Sequence, residues 1–358
     1  MRIISVQYVS SSHTDPFQWL KRIDFYTGIF DELAKNHEVH SFYHIDYKGS
    51  HEINNVKYHF TGLSGLDLVF PVKFHQQIKK LNPDVILVQG FHHPFQVWLL
   101  QKSLKENARF YIHHHAERPL RLYKKFFQRL IDRFVSGYFF VSLQQAEEWI
   151  TSRQIHDRKK IREVMECSSV YQITDRSLAR QVTKVQGKVY LWVGRFDRNK
   201  DPLTLAKAFA QFSSEHPEVS LYVIYQQNDL LGEVVEIVKG FNRIFMIGCQ
   251  NKDQLLQWYN SADFIISTSH YEGSGIAVCE AMSCGCIPIL SAISSFKWMT
   301  NENIGLSFKA GDTEGLHKAL VKSLSIDTEI ERRKTIENFQ RQLSFKAIAS
   351  RMSQAFAK

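Results

Sequence analysis

The sequence predicts an α/β protein built from two doubly wound units, and three observations carry that expectation. Short apolar runs alternate with stretches of helical period along most of the chain. One run, Val85-Ile86-Leu87-Val88, is apolar at every position, as a parallel strand buried on both faces must be. The alternation is interrupted once, by a polar stretch over residues 151–187, and then starts again. With 358 residues, 44% of them hydrophobic, the chain can fill two cores and is too apolar to be disordered.

In the first half, residues 3–9 read as a strand, 17–36 as an amphipathic helix and 37–43 as a second strand. Residues 71–81 read as a helix. The turn Asn82-Pro83-Asp84 leads into the apolar strand 85–90, and residues 109–113 and 139–141 repeat the pattern. Ser142 is placed to cap the helix that follows. Residues 151–187 are expected to connect the domains, with the hinge near 165–170. The second series has strands at 189–193, 219–225, 244–247, 264–267 and 287–290, and helices at 203–212, 254–259 and 276–283. A final helix over 330–357 is long enough to cross back onto the first domain. The expected division is 1–170 and 171–335, with the helix at about 336–358 returning.

The formal charge of +9 implies anionic partners, among which nucleotide phosphates and an acidic membrane face both fit. Nucleic acid would rest on charge only and is not expected. The five cysteines form no disulfide or zinc framework, which suggests a reducing compartment and buried thiols. Residues 1–6 enter a strand at once, without a signal-peptide core, and no apolar run reaches the length of a membrane span. A cytoplasmic protein is expected, with at most a peripheral touch on the inner face of the membrane.

Open α/β sheets bind ligands beyond the carboxyl ends of their strands. The segment His270-Tyr271-Glu272-Gly273-Ser274-Gly275-Ile276 follows a strand and runs into a helix that carries Glu280. Gly273 and Gly275 admit close backbone approach, and the helix start, from Gly273 through Ser274 and Gly275 to Ile276, suits a diphosphate. Glu272 and Glu280 would be repelled by phosphate, but a carboxylate can accept hydrogen bonds from vicinal hydroxyls. Glu280 is placed for a ribose and Glu272 for the sugar. Taken alone, the motif reads equally as a capping turn with two surface glutamates. A second strand-to-helix loop, Gly194-Arg195-Phe196-Asp197-Arg198-Asn199-Lys200-Asp201-Pro202, adds a guanidinium fork and a mobile ammonium, suited to a leaving diphosphate. Asp201 reads as the helix cap and Pro202 as the first helical residue.

The pairing of Gly194-Arg195…Lys200 with Glu272-x7-Glu280 resembles the retaining glycosyltransferases of family 4. The flanks Ser261-Ala262-Asp263, Ala281-Met282-Ser283-Cys284-Gly285 and Asn303-Ile304-Gly305-Leu306 agree. The resemblance covers about residues 188–312. It implies a GT-B fold, two Rossmann-like domains facing across a cleft, with the acceptor side in the first and the nucleotide-sugar donor in the second. It implies that Glu280 holds the ribose, Glu272 the donor sugar, and Arg195 and Lys200 the diphosphate. It implies retention of configuration, the leaving phosphate helping to take the acceptor proton. The donor would be a UDP- or GDP-linked sugar and the acceptor a glycan or lipid-linked molecule, with no cofactor. No metal is expected, since the chain contains no Asp-x-Asp pair.

Three segments depart from the family pattern. Ser10-Ser11-Ser12-His13 lacks paired glycines, Gln226-Gln227-Asn228 stands in place of a glycine-rich turn, and Ser294-Ser295-Phe296-Lys297 replaces a glycine followed by an acid. Thirteen of the sixteen histidines lie before residue 160. His115, then His114, are the candidates for donor-sugar contact, because family members often carry a histidine at this strand end. His92 and His93 are further candidates, for the acceptor. Residues 118–134 interleave Arg118, Arg121, Lys124, Lys125, Arg129 and Arg133 with Leu122, Phe126, Phe127, Leu130 and Phe134, so helical spacing separates a basic from an apolar face. The favoured expectation is an apolar face packed inward and a solvated basic side; the alternative is contact with anionic lipid. Two other functions compete with glycosyl transfer. An NAD-dependent oxidoreductase would need Gly-x-Gly-x-x-Gly after the first strand, where Ser10-Ser11-Ser12-His13 stands. A non-catalytic nucleotide-sugar-binding protein would keep the same donor residues.

Overall fold

A computed structural model describes all residues except 63, 105–107, 228 and 358. The chain divides into two units, Met1–Ser168 together with the segment from Phe345 onward, and Ser169–Ser344.

The first unit holds β1 (Arg2–Val6), β2 (Ser10–Ser11), β3 (Glu38–Ile45), β4 (Gly49–Ile53), β5 (Val56–Phe60), β6 (Val85–Gln89), β7 (Arg109–His113), β8 (Val135–Phe140) and β9 (Ile161–Glu163). Their order is β4-β5-β3-β1-β6-β7-β8-β9, with β2 beside β3. Every pairing is parallel except β4 with β5, where Asn54 and Asn55 turn the hairpin in the left-handed region at φ 52° and 64°. Chain order reverses between β1 and β6. Both neighbours of β1 are parallel, with Ile3 opposite Val39 on one side and Val85 on the other. Ile86 and Val88 join Ile4, Ile112, Phe140 and Trp149 in one buried cluster. The helix Phe345–Phe356 completes this unit. Tyr111 Oη donates to Ala355 O at 2.7 Å, and the Phe345 ring occupies the space a Cβ on Gly28 would need.

The second unit holds β10 (Lys188–Arg195), β11 (Val219–Gln226), β12 (Ile244–Met246), β13 (Phe264–Ser267), β14 (Ile287–Ser291) and β15 (Leu306–Phe308). Their order, β12-β11-β10-β13-β14-β15, is parallel throughout. Chain order reverses between β10 and β13. Alternate residues of β10 feed opposite faces. Tyr190 packs with Phe209, Phe264 and Leu316, and Leu191 with Tyr259, Ile265 and Ala281.

Three sequence expectations are corrected. The single helix over 17–36 is two, Pro16–Arg22 and Asp24–Ala34, because Ile23 leaves helical geometry at φ −107°, ψ 21°. The segment 151–187 is more than a connector. It supplies the edge strand β9 and the helix Arg176–Thr183, whose Leu178 and Val182 face solvent and so hide the usual apolar stripe. The helix expected over 330–357 is also divided. Thr328–Asn338 runs into a π-turn, Phe339–Leu343, and Ser344 is extended before Phe345–Phe356 begins.

Candidate functional site

In the second unit the two loops singled out from sequence leave β10 and β13, the adjacent strands at which chain order reverses. In an open parallel sheet the connections of two such strands depart to opposite sides, and a crevice opens between them. Topology alone therefore brings residues 194–201 and 268–276 together.

Hydrogen bonds then fix the two loops to each other. The Thr268 hydroxyl donates to Lys200 O at 2.6 Å, Asn199 Nδ2 donates to Tyr271 O at 2.9 Å, and His270 N donates to Asn199 O at 2.8 Å. Lys200 Nζ meets Glu272 Oε1 at 2.5 Å, with both side chains mostly buried. An ammonium carries three N–H donors, so pairing with Glu272 uses only one of them. Asp197 organises the first loop. Its Oδ1 accepts from Lys200 N at 2.9 Å and its Oδ2 lies 3.1 Å from Arg195 Nε, while the Arg195 side chain stays half exposed. Asp201 caps the helix Pro202–Glu215 from left-handed geometry, φ 47°, and accepts from Thr204 N and Thr204 Oγ1.

The second loop ends at the helix Ile276–Ser283. Its cap residue, Gly275, is left-handed at φ 65° and has no side-chain cap bond. A Cβ on Gly275 would sit 2.5 Å from the Phe296 ring. Gly273 and Ser274 are buried beside it, and Ile276 is the first residue of the helix. Glu280 is half-buried one turn on, and its Oε2 accepts from Tyr259 Oη at 2.9 Å. Burial, and then the adjacent Glu280 carboxylate, raise the Tyr259 phenol well above its ordinary pKa, so it remains a donor. Sequence reasoning gave no role to Tyr259 or Asp197; Asp197 stands within the quoted loop and binds its own neighbours, whereas Tyr259 stands in no motif and only the fold brings it to the site.

Of the departing segments, Ser10–Ser11 is strand β2 beside β3, and the Ser11 hydroxyl lies 2.6 Å from His13 Nδ1. Gln227 adopts the left-handed conformation, φ 64°, that a glycine takes readily, and Asn228 lies outside the described residues. Ser294–Met299 is a short helix that puts Phe296 beneath Gly275.

In the first unit, His113, His114 and His115 close β7. His114 is buried, its Nε2 2.9 Å from Glu117 O and its ring stacked on Phe140. His115 keeps a third of its side chain exposed, with Nε2 at 2.9 Å from Gln89 Oε1 and Nδ1 at 3.5 Å from Glu166 Oε2. Burial pushes His115 down to about 4, so its ring is neutral at pH 7. Glu117, also missed in the sequence, is buried and accepts from His115 N at 2.6 Å and Phe91 N at 2.9 Å. Burial alone would raise its carboxyl, but His115, His114 and the two backbone donors outweigh it and hold it below its ordinary value. Burial likewise pushes His93 down to about 4. His92 is exposed, with Nε2 3.9 Å from Glu117 Oε1. Among the described residues no group of three or more His, Cys, Asp or Glu is arranged to hold a metal. Cys167, Cys279, Cys284 and Cys286 are buried free thiols and Cys249 is exposed.

One expectation about the basic helix fails. In Leu122–Ile131 the inward face is Gln128 and Ile131, whereas Leu122 and Phe126 are turned out to solvent.

Residues 175–342 match the family described as glycosyl transferases group 1, a match that spans nearly the whole second unit. A GDP-mannose:cellobiosyl-diphosphopolyprenol alpha-mannosyltransferase of Xanthomonas campestris is 28% identical over 129 residues, 35% of this chain and 34% of that protein. The chain thus spans about a third of the length of the curated relatives it matches. Among solved structures, HepE of Anabaena in complex with UDP superposes with a TM-score of 0.77 at 14% identity, covering 100% of both chains. Sucrose-phosphate synthase of Thermosynechococcus elongatus gives 0.73 at 18% identity, over 99% of this chain and 98% of that one. At such identities the likeness is one of fold. The fold class is GT-B, α/β with two Rossmann-like parallel sheets.

Proposed function

We propose that this protein is a retaining glycosyltransferase that moves a sugar from a nucleotide-diphosphate sugar to a glycan or lipid-linked acceptor without a metal ion. The observation that carries this reading is the tied pair of strand-end loops in the second unit. It sets Lys200 against Glu272 and Arg195 against Asp197 beside a helix start, Gly275, that has no side-chain cap bond, and Glu280 follows on that helix. In this reading the diphosphate lies against Gly273, Ser274, Gly275 and Ile276, whose helix end favours negative charge. The Lys200 ammonium bridges Glu272 and a phosphate oxygen, and the Arg195 fork takes another. Glu272 accepts from sugar hydroxyls. Glu280, aimed by Tyr259, accepts from the ribose hydroxyls. In the first unit His115, rather than the enclosed His114, is the histidine assigned to substrate.

The reaction breaks the bond from the anomeric carbon to the diphosphate and forms one to the acceptor oxygen on the same face. The acceptor proton passes to the departing phosphate. Negative charge grows on the phosphate oxygens, and fixed donors already in place stabilise it without reorganisation. UDP and GDP sugars both remain open as donors. GDP-mannose is named for the Xanthomonas relative and UDP is bound by the Anabaena structure.

The test is donor turnover, by hydrolysis or transfer, across UDP- and GDP-sugars with and without excess chelator. Turnover of one donor that survives chelation is expected. Activity lost to chelator and restored by magnesium would contradict the metal-free reading. Donor binding without any turnover would indicate a binding protein instead.

A further inference from the structure

We propose that the first unit docks on an anionic lipid bilayer through a surface formed by residues 66–72 and the start of the helix Leu122–Ile131. Large apolar side chains stand in solvent there. Leu66 is 79% exposed, Phe70 49%, Val72 57%, Leu122 87%, Tyr123 63% and Phe126 63%. A folded chain leaves single apolar residues outside routinely, but a contiguous group marks a binding surface.

Ring contacts make this group contiguous. Phe70 meets Phe95 edge-on at 5.7 Å, Phe95 meets Phe127 at 4.8 Å, and Phe127 meets Phe126 at 5.3 Å. Gln96 Nε2 donates to Leu68 O at 2.9 Å, which ties the 66–70 segment to the helix Pro94–Ser103. The two exposed clusters are therefore linked through one aromatic row.

The charge around them is one-sided. Across residues 66–73 and 118–130 the cations are Lys73, Arg118, Arg121, Lys124, Lys125 and Arg129, and the one acid is Asp67. Arg118 pairs with Glu148, and Arg129 turns to the carbonyls of Ser152 and Arg153. Lys73, Arg121, Lys124 and Lys125 remain beside the apolar group. Apolar side chains flanked by lysine and arginine suit the headgroup region of an anionic leaflet, where carbon enters the acyl boundary and ammonium meets phosphate. A second copy of the chain fits poorly, because a two-fold contact would set these cations against themselves. The surface belongs to the first unit and shares no residue with the loops assigned to the donor, so it and the donor reading can fail independently. Among the described residues no helix is long and apolar enough to cross a membrane, so the contact would be peripheral.

Co-sedimentation of the full chain tests this, with phosphatidylcholine vesicles that contain either no phosphatidylserine or about 30%. Binding to the anionic vesicles alone is expected, and weakening in about 0.5 M salt. Leu122→Ser with Phe126→Ser, and separately Leu66→Ser with Phe70→Ser, should each cut vesicle affinity about tenfold or more. Arg121→Glu with Lys125→Glu should do the same at low salt. These side chains are exposed or half-buried at the surface, and unchanged circular dichroism would show that the fold is intact. No binding by the wild type, or equal binding by all variants, overturns the proposal. A concentration-dependent dimer abolished by the Leu122/Phe126 pair also overturns it, and assigns the surface to self-association.

Discussion

Beyond the strand ends of its sheet the second unit carries Arg195, Lys200, Glu272 and Glu280. At the same level of its own sheet the first unit carries His93, His113, His114 and His115. In the second unit each of the four charges has a defined partner: Asp197, Glu272, Lys200 and Tyr259. In the first unit burial holds the histidines neutral, His93 and His115 down to about 4 and His113 well below its ordinary value. Similar strand ends thus carry a set of paired charges in one unit and, in the other, neutral imidazoles gathered around the buried Glu117 carboxylate. A site that must bind a diphosphate gains from fixed charge. A neutral imidazole can offer a donor and an acceptor to sugar hydroxyls without attracting the phosphates.

The largest effect expected from this contrast is on turnover. Lys200→Ala should lower kcat by about 100- to 1000-fold, the usual consequence of losing one strong donor to developing charge. Because the substitution leaves Glu272 mostly buried without its cation, thermal unfolding must be followed beside it. His114→Gln in the first unit should change kcat far less. Equal losses in the two variants would erase the proposed division of labour.

A second way to break the comparison is pH. Burial pushes His44 and His75 of the first unit down to about 4. Their unfolded forms take up protons near 6.5 while the folded forms do not, so folding stability must fall as pH drops below 6.5, and the loss ends near 4. Each of these enclosed histidines withdraws on the order of 3 kcal/mol over that window. The second unit holds only His216, His270 and His317 and should lose less. Hydrogen exchange corrected for intrinsic rate, compared between peptides of the two units at pH 7 and pH 5, reads this directly. Equal loss of protection in both would show that the histidines do not set the acid sensitivity.

A smaller effect belongs to the glycine that starts the helix Ile276–Ser283. Gly275→Ala must place a Cβ against Phe296 while holding φ at 65°, and should cost about 1–3 kcal/mol by urea unfolding. Gly232→Ala has open space around it and should cost nothing measurable.

How far the sequence revealed these features depends on the range of the contacts behind them. The strands β6, β10 and β13 were visible because a doubly buried parallel strand is apolar at consecutive positions. The loops 194–201 and 268–276 were visible because glycines and charges cluster within a few residues. The Arg176–Thr183 helix was hidden because Leu178 and Val182 point outward. The break at Ile23 has no proline or glycine to announce it. Tyr259 reaches Glu280, and Glu117 reaches Phe91, only through the fold. Tyr259 is 21 residues from Glu280, and Glu117 is 26 residues from Phe91. Leu122 and Phe126 show the limit of periodicity itself, since spacing defines a face but not the direction in which it is turned.

We propose that the second unit binds a nucleoside diphosphate through Glu280 and the helix start at Gly275. Calorimetric titration of the full chain with UDP and GDP, on the wild type and on Glu280→Ala, tests it most directly. One nucleotide should bind the wild type, and Glu280→Ala should weaken that binding by about 1.5–3 kcal/mol, the worth of hydrogen bonds to a charged group. Failure of both nucleotides to bind the wild type, or an unchanged dissociation constant in Glu280→Ala, would show that Glu280 and this helix start do not hold the nucleotide.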